Sequence, residues 1–316
     1  MKKLLKTLLI IAIFSTTLIY ASSFSIMFNN DVFLDHDQFY TNGARFMYTE
    51  DNDDWFLVDA NWWLFNDLFC NTNKSRSWAI SLAQHMYTPS DISVPEFMPD
   101  DRPYGGWLYV GYTFMARDNK EMDTLEIDVG VTGPPSLSEQ TQKWVHKVLG
   151  CQEPMGWDHQ VKAYPGLDLV YEKRYRFRAD DCFDYLPYYG GSLGNVFTYG
   201  QIGNMIRLGY NLPDDFGTWR MEPTLRACRG LFNDFSIYGF ADISGRYVAR
   251  NLLLEGERLD GPCTIEKREL IGEIDYGIGM NCGILEITYG VNNPTKEFYG
   301  QKDYNRYGGI NLSINW

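Results

Sequence analysis

Along most of this chain apolar and polar residues alternate in short runs broken by Asn, Asp, Gly and Pro, the period of strands rather than helices. Residues 39–50 predict a strand with Ala44, Phe46 and Tyr48 on one face and Arg45, Met47 and Thr49 on the other. Residues 77–90 set Trp78, Ile80 and Leu82 against Ala79, Ser81 and Ala83. Residues 124–133 set Leu125, Ile127, Val129 and Val131 against Glu126, Asp128 and Gly130. One apolar and one acidic face suits a barrel wall with lipid outside and a polar lumen within. The spacing of the breaks predicts roughly ten to twelve strands, the range of a small closed barrel. The last residues place Ile310, Leu312, Ile314 and the terminal Trp316 on one face, as a closing strand ending on an interfacial aromatic requires.

One stretch departs from this period. Ser136 with Glu139 three residues on reads as a capping box, and Gly150 as the stop of a short helix. Leu137, Thr141, Trp144, Val145 and Val148 line one face at helical spacing, while Gln142 and His146, four apart, share another, with Glu139 one turn earlier. A polar stripe holding an imidazole, on a lone helix in an all-β chain, is a candidate for chemistry.

The N-terminus, MKKLLKTLLIIAIFSTTLIYASS, has the lysines, apolar run and small-residue exit of a secretory signal peptide, read as residues 1–21 and followed by a single domain, 22–316. An uncleaved anchor is the alternative, but the run is short for a spanning helix. A net charge of −13 argues against nucleic acid as a partner. Aromatics at 16%, with 22 Tyr, 9 Trp and 29 Gly, fit an outer-membrane barrel and a soluble secreted β-sandwich almost equally; the closing strand decides for the barrel. The six cysteines include no C-x-x-C pair, so a zinc site is not expected, and an oxidising periplasm permits disulfides whose pairing the spacing does not fix. Four histidines (His36, His85, His146, His159) are too few for a His-rich metal site, and no Gly-rich phosphate loop occurs.

Three places interrupt the strand pattern with polar residues that would be costly against lipid: Asn29-Asn30-Asp31, Tyr40-Thr41-Asn42-Gly43, and Gln142 with His146. Taken singly, each also reads as a turn, a bulge or a surface residue. Together with YTPSD (Tyr87–Asp91), DRPYGGWLY (Asp101–Tyr109), VGVTGP, QKWVHKVLG (Gln142–Gly150) and GWDHQ (Gly156–Gln160), in order along the mature chain, they resemble the outer-membrane lipid A 3′-O-deacylases of the LpxR type.

The resemblance implies an all-β fold, a transmembrane antiparallel β-barrel of about 12 strands with its site near the outer leaflet, between the wall and a short helix. It implies Ca²⁺-dependent hydrolysis of the ester-linked 3′ acyloxyacyl group of lipid A, in lipopolysaccharide, among the lipids of the outer membrane. By position it assigns catalytic roles to Asn30, Asp31, Thr41, Gln142 and His146. Imidazoles change charge near neutral pH and can deprotonate a water, as His146 would. Asp31 supplies a hard oxygen for Ca²⁺, which would stabilise the oxyanion, with Asn30 as a possible helper. Thr41 and Gln142 would orient water, imidazole or substrate. On this reading the apolar face of the helix packs it in place as a lid while Gln142 and His146 face the cleft, and the protein acts as a monomer. The chain departs from the pattern at Ala163-Tyr164, where many relatives carry Asn-Glu, and offers Arg102 as the nearest cation for a lipid A phosphate, unless Arg102 partners Asp100 or Asp101. The competing expectations are a phospholipase-like esterase, a catalytically silent barrel or pore, and a soluble β-sandwich binding module.

Overall fold

The computed structural model describes residues 22–30, 39–51, 74–217 and 235–316, and of residues 39–41 the backbone alone. The proposed signal peptide, Asp31, His36, Cys70 and Cys228 lie outside the described residues, as does the side chain of Thr41. Strands β1 (Ser22–Asn30), β2 (Phe39–Asp51), β3 (Ser75–Thr88), β4 (Gly105–Arg117), β5 (Glu121–Thr132) and β6 (Pro165–Tyr175) pair in sequence as an antiparallel meander. After the short β7 (Phe177–Asp180) the meander resumes through β8 (Phe183–Gly194), β9 (Phe197–Tyr210), β10 (Ser236–Asn251), β11 (Leu270–Cys282), β12 (Leu285–Pro294) and β13 (Tyr307–Asn315). β1 pairs with β13, and β6 pairs with β8, leaving β7 as an extra strand on a closed twelve-stranded barrel. Closure leaves no unpaired edge in lipid, where an unsatisfied backbone group costs several kcal/mol. The ends are sewn together by Ser22 N–H donating to Trp316 O at 2.7 Å and Trp316 N–H to Ser22 O at 2.9 Å.

The alternation falls as expected. Ile80, Leu82, Val110, Val129, Leu312 and Ile314 face outward and are exposed, while Ala79, Ser81, Ala83, Glu126, Asp128 and Ser313 are buried in the lumen. Near the end holding the chain termini, Tyr48, Trp78, Tyr112 and Trp316 form an outward aromatic row, with Tyr48–Trp78 ring centroids at 5.8 Å and Trp78–Tyr112 at 6.2 Å. Such a row marks a membrane interface, here the periplasmic one, since the loops at the opposite end are the longer in most cases and cap the barrel.

The lumen is packed rather than open. Arg45 Nη2 donates to Glu126 Oε1 at 2.7 Å, Arg174 pairs with Glu172 at 2.9 Å, and Arg207 lies between Asp184 and Asp215. At the extracellular mouth, helix α2 (Leu252–Glu255) lowers Leu252 and Leu253 into a cluster with Ala83, Trp107, Tyr109 and Val196. The loops around it are tied by Arg102–Glu297 at 3.1 Å, His159–Asp260 at 2.8 Å and Lys162–Glu257 at 2.8 Å. The four described cysteines, Cys151, Cys182, Cys263 and Cys282, form no disulfide among the described residues.

Glu126→Leu strands the Arg45 guanidinium in the lumen and is expected to cost about 3–5 kcal/mol, most of it recovered in Arg45→Met/Glu126→Leu, because an uncompensated buried charge is worse than no charge. Urea unfolding of the barrel in vesicles reads both values.

Candidate active site

A polar row crosses the outer wall at its extracellular rim. In β1, Asn30 follows Phe28 and Ile26 on the outward face. The registers place Asn30 opposite Asn42 in β2, Asn42 opposite Met86 in β3, and Met86 opposite Gly106 in β4. Neighbouring strands are about 4.8 Å apart, so the row spans roughly 14 Å of wall. Thr41 is the extra residue of a β-bulge, since pairing with β3 jumps between Tyr40 and Asn42.

Helix α1 (Ser138–Leu149) packs against the β3–β4 end of this row. Its start is fixed by Gly106, where a Cβ would lie 2.1 Å from Ser136 Oγ and 2.2 Å from Ser138 Oγ; only glycine lets the helix come this close to the wall. Gln84, outward on β3, donates to Ser136 O at 2.6 Å. Gly133 (φ 68°) and Leu137 (φ 59°) turn the chain off the end of β5 and into the helix. The helix therefore begins at Ser138 with Leu137 as its cap residue, and the expected capping box does not form. Ser136 Oγ instead donates to Gly133 O at 2.6 Å, and Glu139 pairs with Lys143 at 2.7 Å. Gly150 (φ 71°) ends the helix as expected.

The helix is turned the other way round from the packing expected of its apolar residues. Ser138, Gln142 and His146 are buried against the barrel, whereas Trp144 is 65% and Val148 63% exposed. The polar stripe does face the wall, but the apolar face does not hold the helix down. The polar stripe instead meets polar partners there: Gln84 of β3 donates to Ser136 O just before the helix, Trp157 to Gln142 Oε1, and His146 Nδ1 lies on Gln152 O.

Each buried side chain has a defined partner. His146 Nδ1 lies 2.5 Å from Gln152 O, and because a carbonyl only accepts, Nδ1 carries the proton. Nε2 is then the unprotonated nitrogen with its lone pair available, the tautomer a base needs. Trp157 Nε1–H donates to Gln142 Oε1 at 2.8 Å, and Trp157 packs with Met86, Ile92 and Tyr104. The Trp157 contacts thus bring Gln142 above Met86, one strand from Asn42. Gln142 Nε2 and Asn42 Oδ1 are both buried without a hydrogen-bond partner among the described residues.

The structure thus brings Gln142 and His146 to the outer wall that ends in Asn30. Asn42 and Trp157 are the residues that sequence reasoning missed. Asn42 sits within the quoted Thr-Asn-Gly and continues the outward face of Ala44, Phe46 and Tyr48. Trp157 lies within GWDHQ and is identified by its contact with Gln142. Arg102 is buried, stacks over the Tyr87 ring at 4.3 Å and pairs with Glu297, so it holds loops together rather than waiting for a phosphate, and its acidic partner is neither Asp100 nor Asp101. His85 is buried in the lumen against Tyr109, and His159 belongs to the loop cap. Among the described residues no cluster of three or more His, Cys, Asp or Glu could hold a metal ion.

A closed barrel with an apolar outer surface, a packed lumen and a short helix set against its outer wall is an outer-membrane barrel protein. The family model described as "Outer membrane protein LpxR" matches residues 4–316, and the chain belongs to that family: it is an outer-membrane lipid A deacylase, a hydrolase. Among solved structures it is similar to LpxR from Salmonella typhimurium, at 20% identity over 92% of this chain and 99% of that one, with a TM-score of 0.76. Two autotransporter barrels match more loosely: the β domain of Bordetella BrkA, at 8% identity over 94% of this chain and 98% of that one (TM-score 0.44), and the NalP translocator of Neisseria meningitidis, at 8% over 94% and 87% (TM-score 0.40). No match was found among curated protein sequences.

Trp157→Phe keeps the packing on Met86 and Tyr104 but removes the donor to Gln142. Losing one hydrogen bond of about 1–1.5 kcal/mol predicts a fall of roughly tenfold in deacylation, with heat-modifiable gel migration of the barrel unchanged. Gly106→Val should lift α1 from the wall and abolish turnover, with residues 138–150 becoming sensitive to protease.

Proposed function

We propose that this chain, acting as a monomer, hydrolyses the ester-linked 3′ acyloxyacyl group of lipid A in the outer leaflet, with His146 as general base and Ca²⁺ as electrophile. The observation that carries the reading is His146 itself: buried against the wall, its Nδ1 proton held by Gln152 O, and its Nε2 lone pair left for a water. As the water oxygen bonds to the ester carbonyl carbon, Nε2 takes its proton; as the carbonyl–oxygen bond to the sugar breaks, the imidazolium returns that proton to the leaving oxygen. The hydrogen bond to Gln152 keeps the ring in one orientation through both transfers. Gln142, anchored through Oε1 by Trp157, presents Nε2–H groups toward the wall to orient water or substrate, a task shared with Thr41.

The donors present fit a hard cation. Asn42 Oδ1 is a buried oxygen with no partner among the described residues, Asn42 pairs with Asn30, which precedes Asp31 in the chain, and Ca²⁺ takes carboxylate and amide oxygens of this kind. Asp31, Asn42 and Asn30 would hold it. When bound, the ion would polarise the ester carbonyl and offset the negative charge that develops on its oxygen.

His146→Ala is expected to lower kcat by about 10²–10⁴ while leaving a folded barrel. A chelator should silence the enzyme and added Ca²⁺ restore it, with Asp31→Ala needing far more ion for the same rate. Mass spectrometry of lipid A from cells expressing the protein reads the substrate: a folded barrel with no loss of the 3′ acyloxyacyl chain refutes the assignment, and release of phospholipid acyl chains instead would make it a phospholipase.

A further inference from the structure

Helix α1 carries an apolar ridge that is more than half exposed. Leu137 is 52% exposed, Trp144 65%, Val148 63% and Leu149 66%, and Leu137, Trp144 and Val148 lie on the side opposite Gln142. In water such a ridge would be an unexplained cost. Its height in the membrane explains it. Trp78, in the periplasmic aromatic row, and Met86, beneath the helix, stand on the same outward face of β3, eight residues apart. Eight residues span about 26 Å along a strand, and a strand tilt of about 40° reduces this to roughly 20 Å along the membrane normal. The apolar band of such a barrel is about 25 Å tall, so α1 lies near its upper edge, where outer-leaflet chains meet their headgroups.

The ridge is also continuous with the barrel's lipid-facing surface. The wall beneath the helix exposes Ile80, Leu82 and Val110 in the same outward direction. On one flank the helix carries Lys143, paired with Glu139, and the exposed Lys147, cations that reach water from an apolar boundary. Apolar apex, basic flank and a length of three turns are the features of an interfacial helix.

We propose that α1 is inserted in the outer leaflet, with Leu137, Trp144, Val148 and Leu149 packed among acyl chains, and that it is not a lid closing over the site from water. The cleft between Gln142, His146 and the wall then opens sideways into the bilayer, and an ester reaches it without leaving the membrane. The inference rests on the outer-membrane placement of the barrel and not on the ester chemistry.

The test reads position without turnover. The difference in fluorescence between the native protein and Trp144→Phe isolates Trp144 emission, measured in vesicles whose phospholipid chains are brominated near the headgroup or near the chain end. Insertion predicts blue-shifted emission quenched severalfold more by the shallow bromines than by the deep ones, and little by acrylamide in water. Emission quenched by acrylamide and untouched by either brominated lipid would place the helix in solvent and overturn the proposal. As a second arm, Trp144→Ser/Val148→Ser/Leu149→Ser should raise KM about tenfold for substrate in vesicles and leave kcat in detergent micelles unchanged. Equal loss in both media would mean that the ridge serves the fold of α1, against the proposal. Failure of lipid A hydrolysis would leave the quenching result standing, so the two readings fail separately.

Discussion

In hydrocarbon a polar group has no water to turn to, and this constraint organises the molecule at every scale. At the scale of the backbone it demands closure, achieved by the pairing of β1 with β13 and of β6 with β8. At the scale of side chains it sorts each strand into a lipid face and a lumen face, and the lumen charges must then be paired, as Arg45 is with Glu126 and Arg207 with Asp184. At the scale of the site it sets a harder problem, because Asn30 and Asn42 lie on the wrong side of the wall. Helix α1 stands beside them, with its own polar stripe turned to the β3–β4 wall and its apolar ridge outward.

That inversion shows what the sequence could and could not say. The strands were legible because a period of two survives any environment; Leu125, Ile127 and Val129 against Glu126 and Asp128 separate lipid from lumen whichever way the barrel is drawn. The helix was legible as a helix from its spacing and its Gly150 stop. Its orientation was not, because the rule that an apolar face packs inward assumes water outside. Trp144 and Val148 obey the same physics with the solvent exchanged. The capping box failed for a local reason: the approach to Gly106 forces a left-handed turn at Leu137, which puts Ser136 outside the helix and in contact with Gly133.

The candidate site was legible in its parts rather than as a whole. Asn30, Gln142 and His146 could be named from motifs, but their joining depends on registers that no single segment contains: Asn30 to Asn42, Asn42 to Met86, Met86 to Gly106. Asn42 escaped notice because Thr-Asn-Gly by itself reads as a turn or bulge, although Asn42 continues the outward face of Ala44, Phe46 and Tyr48. Trp157 escaped because an aromatic in a loop signals packing, and its indole proton finds Gln142 only in three dimensions. Both acquire meaning from neighbours distant in the chain.

The lumen and the outer wall divide the work between them. The charged lumen is built for stability: Glu126, Glu172 and Asp184 are matched by arginines, Asp275 is held by Asn292, and Leu252 and Leu253 pack at its mouth. On the proposed function, chemistry lies at the wall, where the substrate's own environment is the adjoining medium. A soluble esterase must extract an acyl chain from the bilayer before acting on it, at a free-energy cost of about 0.8 kcal/mol for each methylene exposed to water. A base held against the lipid-facing wall avoids that extraction. The polar row, the inward stripe of α1 and its outward ridge thus answer one requirement: to keep water and a proton acceptor beside hydrocarbon without exposing either the chain of the substrate or the polar groups of the enzyme to the wrong medium.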